Sequence, residues 1–311
     1  MDIHRILVTG RLYREMGEIL SDSSPDREYR FIAEDQVTFA DYDWADAFVA
    51  FKPAANFHFG QLKWIHALGA GVDAFLSLPN WKEDVVLTRT TGDFGQKIGE
   101  YCLSYILADS QHHALFRRQQ SDTLWKQAVP TPSNRLVAVV YGTGSVGRQV
   151  AKVLSLLNVT VYGVSLSGTP HPHFQHVCKP DEAAGLLAEA DWVINTLPLT
   201  ADTQGLFQET LFARMIQCGF INAGRGASVN EPALLQALQA GHVKCAVLDV
   251  FAEEPLRKES ALWSHPGVIV TPHISAVTST EEAVQTFICT LAEMERGNTD
   301  LPGLVDRTRG Y

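Results

Sequence analysis

Gly142-Thr-Gly144-Ser-Val-Gly147 follows the apolar run Leu136 to Val140 and opens a helical stretch from Ser145 to Asn158. Alone, a glycine hexapeptide of this kind is a weak signal. A strand before it and an amphipathic helix after it are what the dinucleotide-binding fingerprint requires. Gly142 permits a tight turn, Gly144 lets the backbone approach a pyrophosphate, and Gly147 lets helix and strand pack closely. The helix N-terminus, with Thr143, Ser145 and Val146 in the same turn, offers N–H groups to phosphates.

Working outward, short apolar runs alternate with helical patterns: Leu136 to Val140, Thr160 to Val164, Trp192 to Asn195, Gly219 to Ile221, Ala246 to Val250 and Val268 to Val270. Six strands with intervening helices predict a parallel, doubly wound α/β sheet. In the helix after the glycine turn, Val150, Val153, Leu154 and Leu157 form one stripe expected to face that sheet. The N-terminal part repeats the alternation with Ile6 to Val8, Ala47 to Phe51, Trp64 to Leu68 and Val85 to Leu87, which reads as a second α/β domain. Ser121 to Arg135, with Trp125 and two prolines, reads as an extended crossing or protruding arm. The expected division is therefore a first domain over 1–105, completed by a returning segment 280–311 that starts with the amphipathic stretch Thr280 to Arg296, and a nucleotide domain over 106–279.

The chain has 311 residues, 46% of them hydrophobic, enough for two cores. Its formal net charge of -10 argues against a polyanion-binding surface, so no nucleic-acid partner is expected. Five cysteines at 102, 178, 218, 245 and 289 show no C-x-x-C pairing, no secretory leader is visible, and no apolar run reaches the length of a membrane span. These features predict a reduced, cytoplasmic protein with no membrane role.

Open parallel sheets bind ligands beyond the carboxyl ends of their strands, so polar residues just after strand candidates carry the functional reading. Arg225 follows the fourth run of the nucleotide domain in Asn222-Ala-Gly-Arg225. Glu254 follows the fifth in Leu248-Asp-Val-Phe-Ala-Glu-Glu254-Pro, and His273 follows the sixth in Thr271-Pro-His273. Arginine can hold a 2-keto acid and polarise its carbonyl, histidine can move a proton, and a carboxylate can orient the ring and raise its pKa. Leu197 and Pro198, after the third run, and Ala223 and Gly224, after the fourth, complete the candidate cofactor set.

These motifs, together with the turn Gly69-Ala-Gly71-Val-Asp73, resemble the D-2-hydroxyacid dehydrogenases along nearly the whole chain. Within that family, Phe57 to Asp73, Thr271 to Thr278 and the tail Val305 to Tyr311 are most similar to glyoxylate/hydroxypyruvate reductases of the A type. The resemblance implies two Rossmann- or flavodoxin-like domains with the active site in the cleft between them. It assigns Arg225 to the substrate carboxylate and carbonyl, His273 to acid/base catalysis and Glu254 to partnering His273. It also assigns the N–H groups near Gly71 and Val72 to the substrate carboxylate. Asp249 matches a position beside the nicotinamide carboxamide, although an acid leaving a strand can equally cap its own loop. Trp125 matches an arm residue that reaches a neighbouring subunit in relatives, which implies a homodimer; a buried anchor in its own domain is the alternative.

The second run of the nucleotide domain ends Val164-Ser165-Leu-Ser167-Gly, without the carboxylate that binds a ribose 2′-hydroxyl. NADP(H) is therefore favoured, with Ser165 and Ser167 as donors, and NAD(H) is possible; the arginines common here in the reductase branch are absent. The following Pro170 to Lys179 connection holds His171, His173, His176 and Cys178 at spacings that match no zinc pattern, so no metal is expected. The resulting expectation is NAD(P)H-dependent reduction of a small 2-keto acid such as glyoxylate or hydroxypyruvate. The alternatives are a reductase for a bulkier or phosphorylated acid, and a cofactor-sensing binding protein.

Overall fold

The computed structural model describes residues 1–23 and 26–308. Arg309, Gly310 and Tyr311, the end of the tail motif, lie outside the described residues. The chain forms two compact units, one of residues 1–92 with 278–311 and the other of residues 93–277.

The first unit is built on five parallel strands: β1 (Arg5–Val8), β2 (Glu28–Phe31), β3 (Ala47–Ala50), β4 (Trp64–Ala67) and β5 (Val86–Arg89), ordered β2-β1-β3-β4-β5. The central strands β3 and β4 are buried along their whole length, as expected of a sheet covered on both faces. β2 was not legible as an apolar run because it is an edge strand of sequence Glu-Tyr-Arg-Phe with no fully buried residue. Helix Thr280–Glu295 completes this unit, with Phe287 stacked on Trp64 at 5.1 Å. A capping box starts that helix: Glu282 N donates to Ser279 Oγ, and Ser279 N donates to the Glu282 carboxylate.

The second unit carries seven parallel strands: β6 (Val137–Tyr141), β7 (Thr160–Val164), β8 (His176–Cys178), β9 (Trp192–Asn195), β10 (Cys218–Asn222), β11 (Val243–Leu248) and β12 (Val268–Val270). Their order is β12-β11-β10-β9-β6-β7-β8, the doubly wound arrangement. The sequence predicted six of these strands. The seventh, β8, puts His176 and Cys178 in a strand rather than a loop, where Cys178 pairs with Val164 of β7. A three-residue edge strand with a polar start gives no apolar run to detect. Helix Ser145–Ser155 buries Val150, Val153 and Leu154, but Leu157 lies past the helix end and is 37% exposed. Asn158, at φ 59°, turns the chain toward β7 there, which removes Leu157 from the stripe.

Helix Phe94–Ser110 packs on Ser145–Ser155 through two small residues one turn apart. A Cβ at Gly95 would lie 2.6 Å from Gln149 and one at Gly99 2.7 Å from Val153, so glycine lets the helices approach. This packing places residues from 93 onward in the second unit, ahead of the division at 105/106 read from sequence. Beyond helix His113–Ser121, residues 122–132 form an irregular segment in which Trp125 is 98% exposed. Trp125 is thus not a buried anchor of its own unit. No described helix is long and apolar enough to cross a membrane.

Candidate active site

Parallel pairing sets Asn195, Asn222, Leu248 and Val270 level with one another at the carboxyl ends of β9, β10, β11 and β12. The segments that follow these residues carry the predicted acid/base set.

His273 has a left-handed backbone, φ 56°, and its N–H donates to Asp249 O at 2.9 Å. The ring Nδ1 lies 2.8 Å from Glu254 Oε2, while Glu254 Oε1 accepts the N–H of Phe251 at 3.0 Å. A carboxylate only accepts, so Nδ1 carries the proton and Nε2 is left for substrate. The hydrogen bond to Glu254 raises the His273 pKa, and it outweighs the opposing effects of desolvation and of the Arg225 charge. Burial works to raise Glu254, but its bonds to His273 and Phe251 prevail and hold it below the usual carboxylate range. The result is a carboxylate that favours the protonated form of a half-exposed imidazole.

Asp249 is fully buried. Oδ1 accepts Thr271 Oγ1 at 2.6 Å and Ile274 N at 2.8 Å, and Oδ2 accepts Ser275 N at 2.8 Å. Of the two roles left open for it in the sequence, loop capping is the one these bonds describe. Tyr101, from helix Phe94–Ser110, places its hydroxyl 2.7 Å from Thr271 Oγ1. Because the Thr271 hydrogen is committed to Asp249, Tyr101 is the donor. Tyr101 and Thr271 were not singled out in the sequence: they are 170 positions apart, and no local pattern links them.

Arg225 stands at the end of β10, with its Nη1 donating to Gly224 O at 2.7 Å and its carbonyl accepting Ser228 Oγ at 2.6 Å. At Gly226 an added Cβ would lie 1.8 Å from the Phe251 carbonyl carbon, so this glycine joins the Arg225 turn directly to the loop that carries Glu254. Buried Asn195 donates to Asn222 Oδ1 at 2.9 Å and Ser228 Oγ at 2.7 Å, and accepts Leu197 N at 3.0 Å. Asn222 Oδ1 also accepts Gly224 N at 3.2 Å. This network, absent from the sequence prediction, fixes Leu197 and the Ala223–Arg225 turn. Its signal is an asparagine closing each of two apolar strands, Val-Ile-Asn195 and Phe-Ile-Asn222.

The glycine turn fits a dinucleotide. Gly142 has φ 96°, a Cβ on Gly147 would lie 1.8 Å from Gly142 O, and a Cβ on Gly144 would meet nothing within 4 Å. Helix and strand are thus in tight contact at Gly147 and the turn is open at Gly144, where a pyrophosphate needs room. Thr143 is buried, with its methyl group against Gly163. Pro198 follows the Leu197 turn, and its carbonyl accepts Thr203 Oγ1 at 2.6 Å. At the end of β7, Ser165 Oγ is buried without a hydrogen-bond partner among the described residues, while Ser167 Oγ accepts Thr169 N at 3.2 Å. The Lys179 stem lies beside this turn, 3.4 Å from where a Gly168 Cβ would stand. His171 and His173 lie on the connection between β7 and β8, with His173 Nδ1 3.4 Å from Ser155 Oγ.

Within the first unit, the Gly69–Val72 turn follows β4 and leads into a single helical turn, Asp73–Leu76. Arg89 Nη1 donates to Ala70 O at 2.9 Å, and the Gly71 and Val72 N–H groups have no acceptor among the described residues.

Residues 103–275 match the family model described as D-isomer specific 2-hydroxyacid dehydrogenase, NAD binding domain. Among solved structures, the chain is similar to an NADPH-dependent glyoxylate/hydroxypyruvate reductase from Sinorhizobium meliloti in complex with NADP and sulfate. That match has 28% identity and TM-score 0.90, over 99% of this chain and 100% of the other. A D-isomer specific 2-hydroxyacid dehydrogenase from Xanthobacter autotrophicus Py2 in complex with NADPH and MES matches at 28% identity and TM-score 0.88, over all of both chains. A family protein from Aeromonas salmonicida matches at 28% identity and TM-score 0.86, over 98% of this chain and 100% of the other. Through that family-model match over more than half of its length, the chain belongs to the D-isomer specific 2-hydroxyacid dehydrogenase family.

Proposed function

We propose that the chain reduces a small 2-keto acid of the glyoxylate and hydroxypyruvate class, with NADPH preferred over NADH. The observation that carries this reading is the 2.8 Å pair between His273 Nδ1 and Glu254 Oε2, set among strand ends that also bear Arg225. A cofactor sensor has no use for a proton donor. When bound, the reduced nicotinamide supplies the hydride. His273 Nε2 gives its proton to the carbonyl oxygen as the alcohol forms, and Glu254 stabilises the imidazolium before that transfer. Arg225 stabilises negative charge developing on that oxygen.

Preference for NADPH is supported by the absence of a carboxylate at the end of β7, by the unpartnered Ser165 hydroxyl, and by Lys179 beside the same turn. Ser167 offers a second hydroxyl there. The exposed segment carrying Trp125 supports a homodimer in which this residue meets a second copy of the chain.

The test is the initial rate of NADPH and NADH oxidation with glyoxylate and hydroxypyruvate, with Arg225→Ala as control. Rapid oxidation, faster with NADPH and lost in the variant, is the expected result. Equal or better efficiency with NADH overturns the cofactor preference, and binding of both cofactors without turnover overturns the catalytic reading.

A further inference from the structure

Arg225 is flanked by two glycines, and each packs on a different neighbouring segment. An added Cβ at Gly224 would lie 2.8 Å from Leu197 O and 3.0 Å from both Leu197 N and Asn195 Nδ2, so this side of the turn rests on the chain leaving β9. Gly226, on the other side, rests on the Phe251 backbone in the loop that carries Glu254. These contacts set how closely the segments approach, but packing alone does not fix the rotation of a peptide plane. Directional bonds do that.

The Arg225 carbonyl takes three such bonds. Ser228 Oγ donates to it at 2.6 Å, Ser228 N at 3.2 Å and Asn222 Nδ2 at 3.2 Å. Ser228 is fully buried and ends the single turn Gly226–Ser228. Its main chain is held from outside that turn: fully buried Phe207 donates its N–H to Ser228 O at 2.9 Å, and Gly205 N donates to Ala227 O at 2.9 Å. The Ser228 hydroxyl hydrogen is committed to Arg225 O, and its oxygen accepts Asn195 Nδ2 at 2.7 Å. One buried side chain thus ties the Arg225 backbone to the asparagine that also holds Leu197 N. The Arg225 main chain is extended, φ -137° and ψ 139°, and Nη1 donates back to Gly224 O at 2.7 Å. The direction of the guanidinium therefore follows from the peptide planes on either side of its Cα, and Ser228 sets one of them.

We propose that Ser228 is a positioning residue for the reduction: its hydroxyl holds the Arg225 main chain so that the guanidinium meets the keto acid with its donors aligned. This inference rests on the reading of Arg225 as the group that polarises the substrate carbonyl. Removing the hydroxyl deprives the Arg225 carbonyl of its shortest bond and leaves one Asn195 N–H without its acceptor, in a buried network that is otherwise satisfied. The turn shifts to recover those bonds, and a displacement of about 1 Å at a reacting group costs roughly a hundredfold in rate.

The experiment places Ser228→Ala in the native and in the Arg225→Ala background and measures NADPH oxidation with glyoxylate. Calorimetric titration of the NADPH complex with oxamate, a keto-acid isostere that is not reduced, gives a readout independent of turnover. Ser228→Ala is expected to weaken oxamate binding and to lower kcat/KM, each about tenfold or more, with NADPH affinity kept within about twofold. Ser228→Thr, which keeps the hydroxyl, is expected to retain most of the rate. In the Arg225→Ala background Ser228→Ala is expected to have almost no further effect on kcat/KM, because residues that act through one another are not additive. Losses of equal size in both backgrounds, or a fall in thermal stability or NADPH affinity alone, overturn the proposal and leave the hydroxyl a purely structural one. Unchanged turnover and oxamate binding in Arg225→Ala itself overturn the reading of Arg225, a result distinct from the first. Should Ser228→Ala not fold, Ser228→Cys fills the site with a weak donor and is read on the same cycle.

Discussion

His273 Nδ1 and Glu254 Oε2 lie 2.8 Å apart although 19 residues separate them and they follow different strands, β12 and β11. The pairing raises His273 above its ordinary value of 6.5 and lowers Glu254 below 4.5, which widens the pH range over which the imidazolium and the carboxylate coexist.

Keto-acid reduction consumes the His273 proton, so its rate is higher on the acid side of the raised value and declines as pH rises through it. Glu254→Gln removes the charge that supports the imidazolium, and the midpoint moves down toward or below 6.5. At pH 8 the variant is expected to lose at least about tenfold in kcat relative to the native enzyme, and less at pH 6. Parallel pH–rate profiles from pH 5 to 9 check this; superimposable curves would show that the pair does not set the proton donor.

Asp249 holds the loop that carries His273 through three hydrogen bonds and is itself fully buried. In Asp249→Asn one carboxylate oxygen becomes an NH2 group facing an N–H or hydroxyl donor. A shift of about 1 Å in His273 costs roughly a hundredfold in turnover. The expected outcome is a fall in kcat of that order with cofactor affinity largely kept. Tyr101→Phe, one bond further away, is expected to show a smaller loss in the same direction. A fall in cofactor affinity with unchanged kcat would place Asp249 on the nicotinamide instead.

Ser165→Asp puts a carboxylate at the end of β7. It offers an acceptor to a ribose 2′-hydroxyl and repels a 2′-phosphate. The ratio of kcat/KM for NADPH over NADH is expected to drop by about tenfold or more. An unchanged ratio would show that this strand end does not face the ribose.

His66 is fully buried, bonded to Thr88 Oγ1 at 2.8 Å, and burial lowers its pKa to about 3. Because the folded value is depressed, its contribution to stability is complete above the unfolded value near 6.5 and is lost as pH falls toward 3. Below pH 6.5 this group adds a loss of up to about 1.4 kcal/mol per pH unit. Denaturant unfolding at pH 7, 6 and 5 is expected to show that slope, and His66→Gln is expected to flatten it. Equal slopes in the two proteins would mean that His66 gains its proton without unfolding.

Particular residues show why parts of the site were legible before folding and others were not. The Gly142–Gly147 turn, Arg225, Glu254 and His273 each follow an apolar run, so local pattern alone marks them as strand-end residues. β2 and β8 are short polar edge strands, and an edge strand needs no continuous apolar sequence because one side lacks a neighbour. The asparagine network of Asn195 and Asn222 was visible only as two strands ending in the same residue.

The sequence by itself determined the doubly wound class and the nucleotide turn, and marked Arg225, Glu254 and His273 as strand-end residues, because backbone periodicity and glycine chemistry act over neighbouring residues. Only the tertiary structure decided that Asp249 and Tyr101 brace the His273 loop and that helix Phe94–Ser110 belongs with the second unit. Each of these depends on contacts between residues tens to more than a hundred positions apart, whose distances are set by parallel strand register and helix packing rather than by any local pattern.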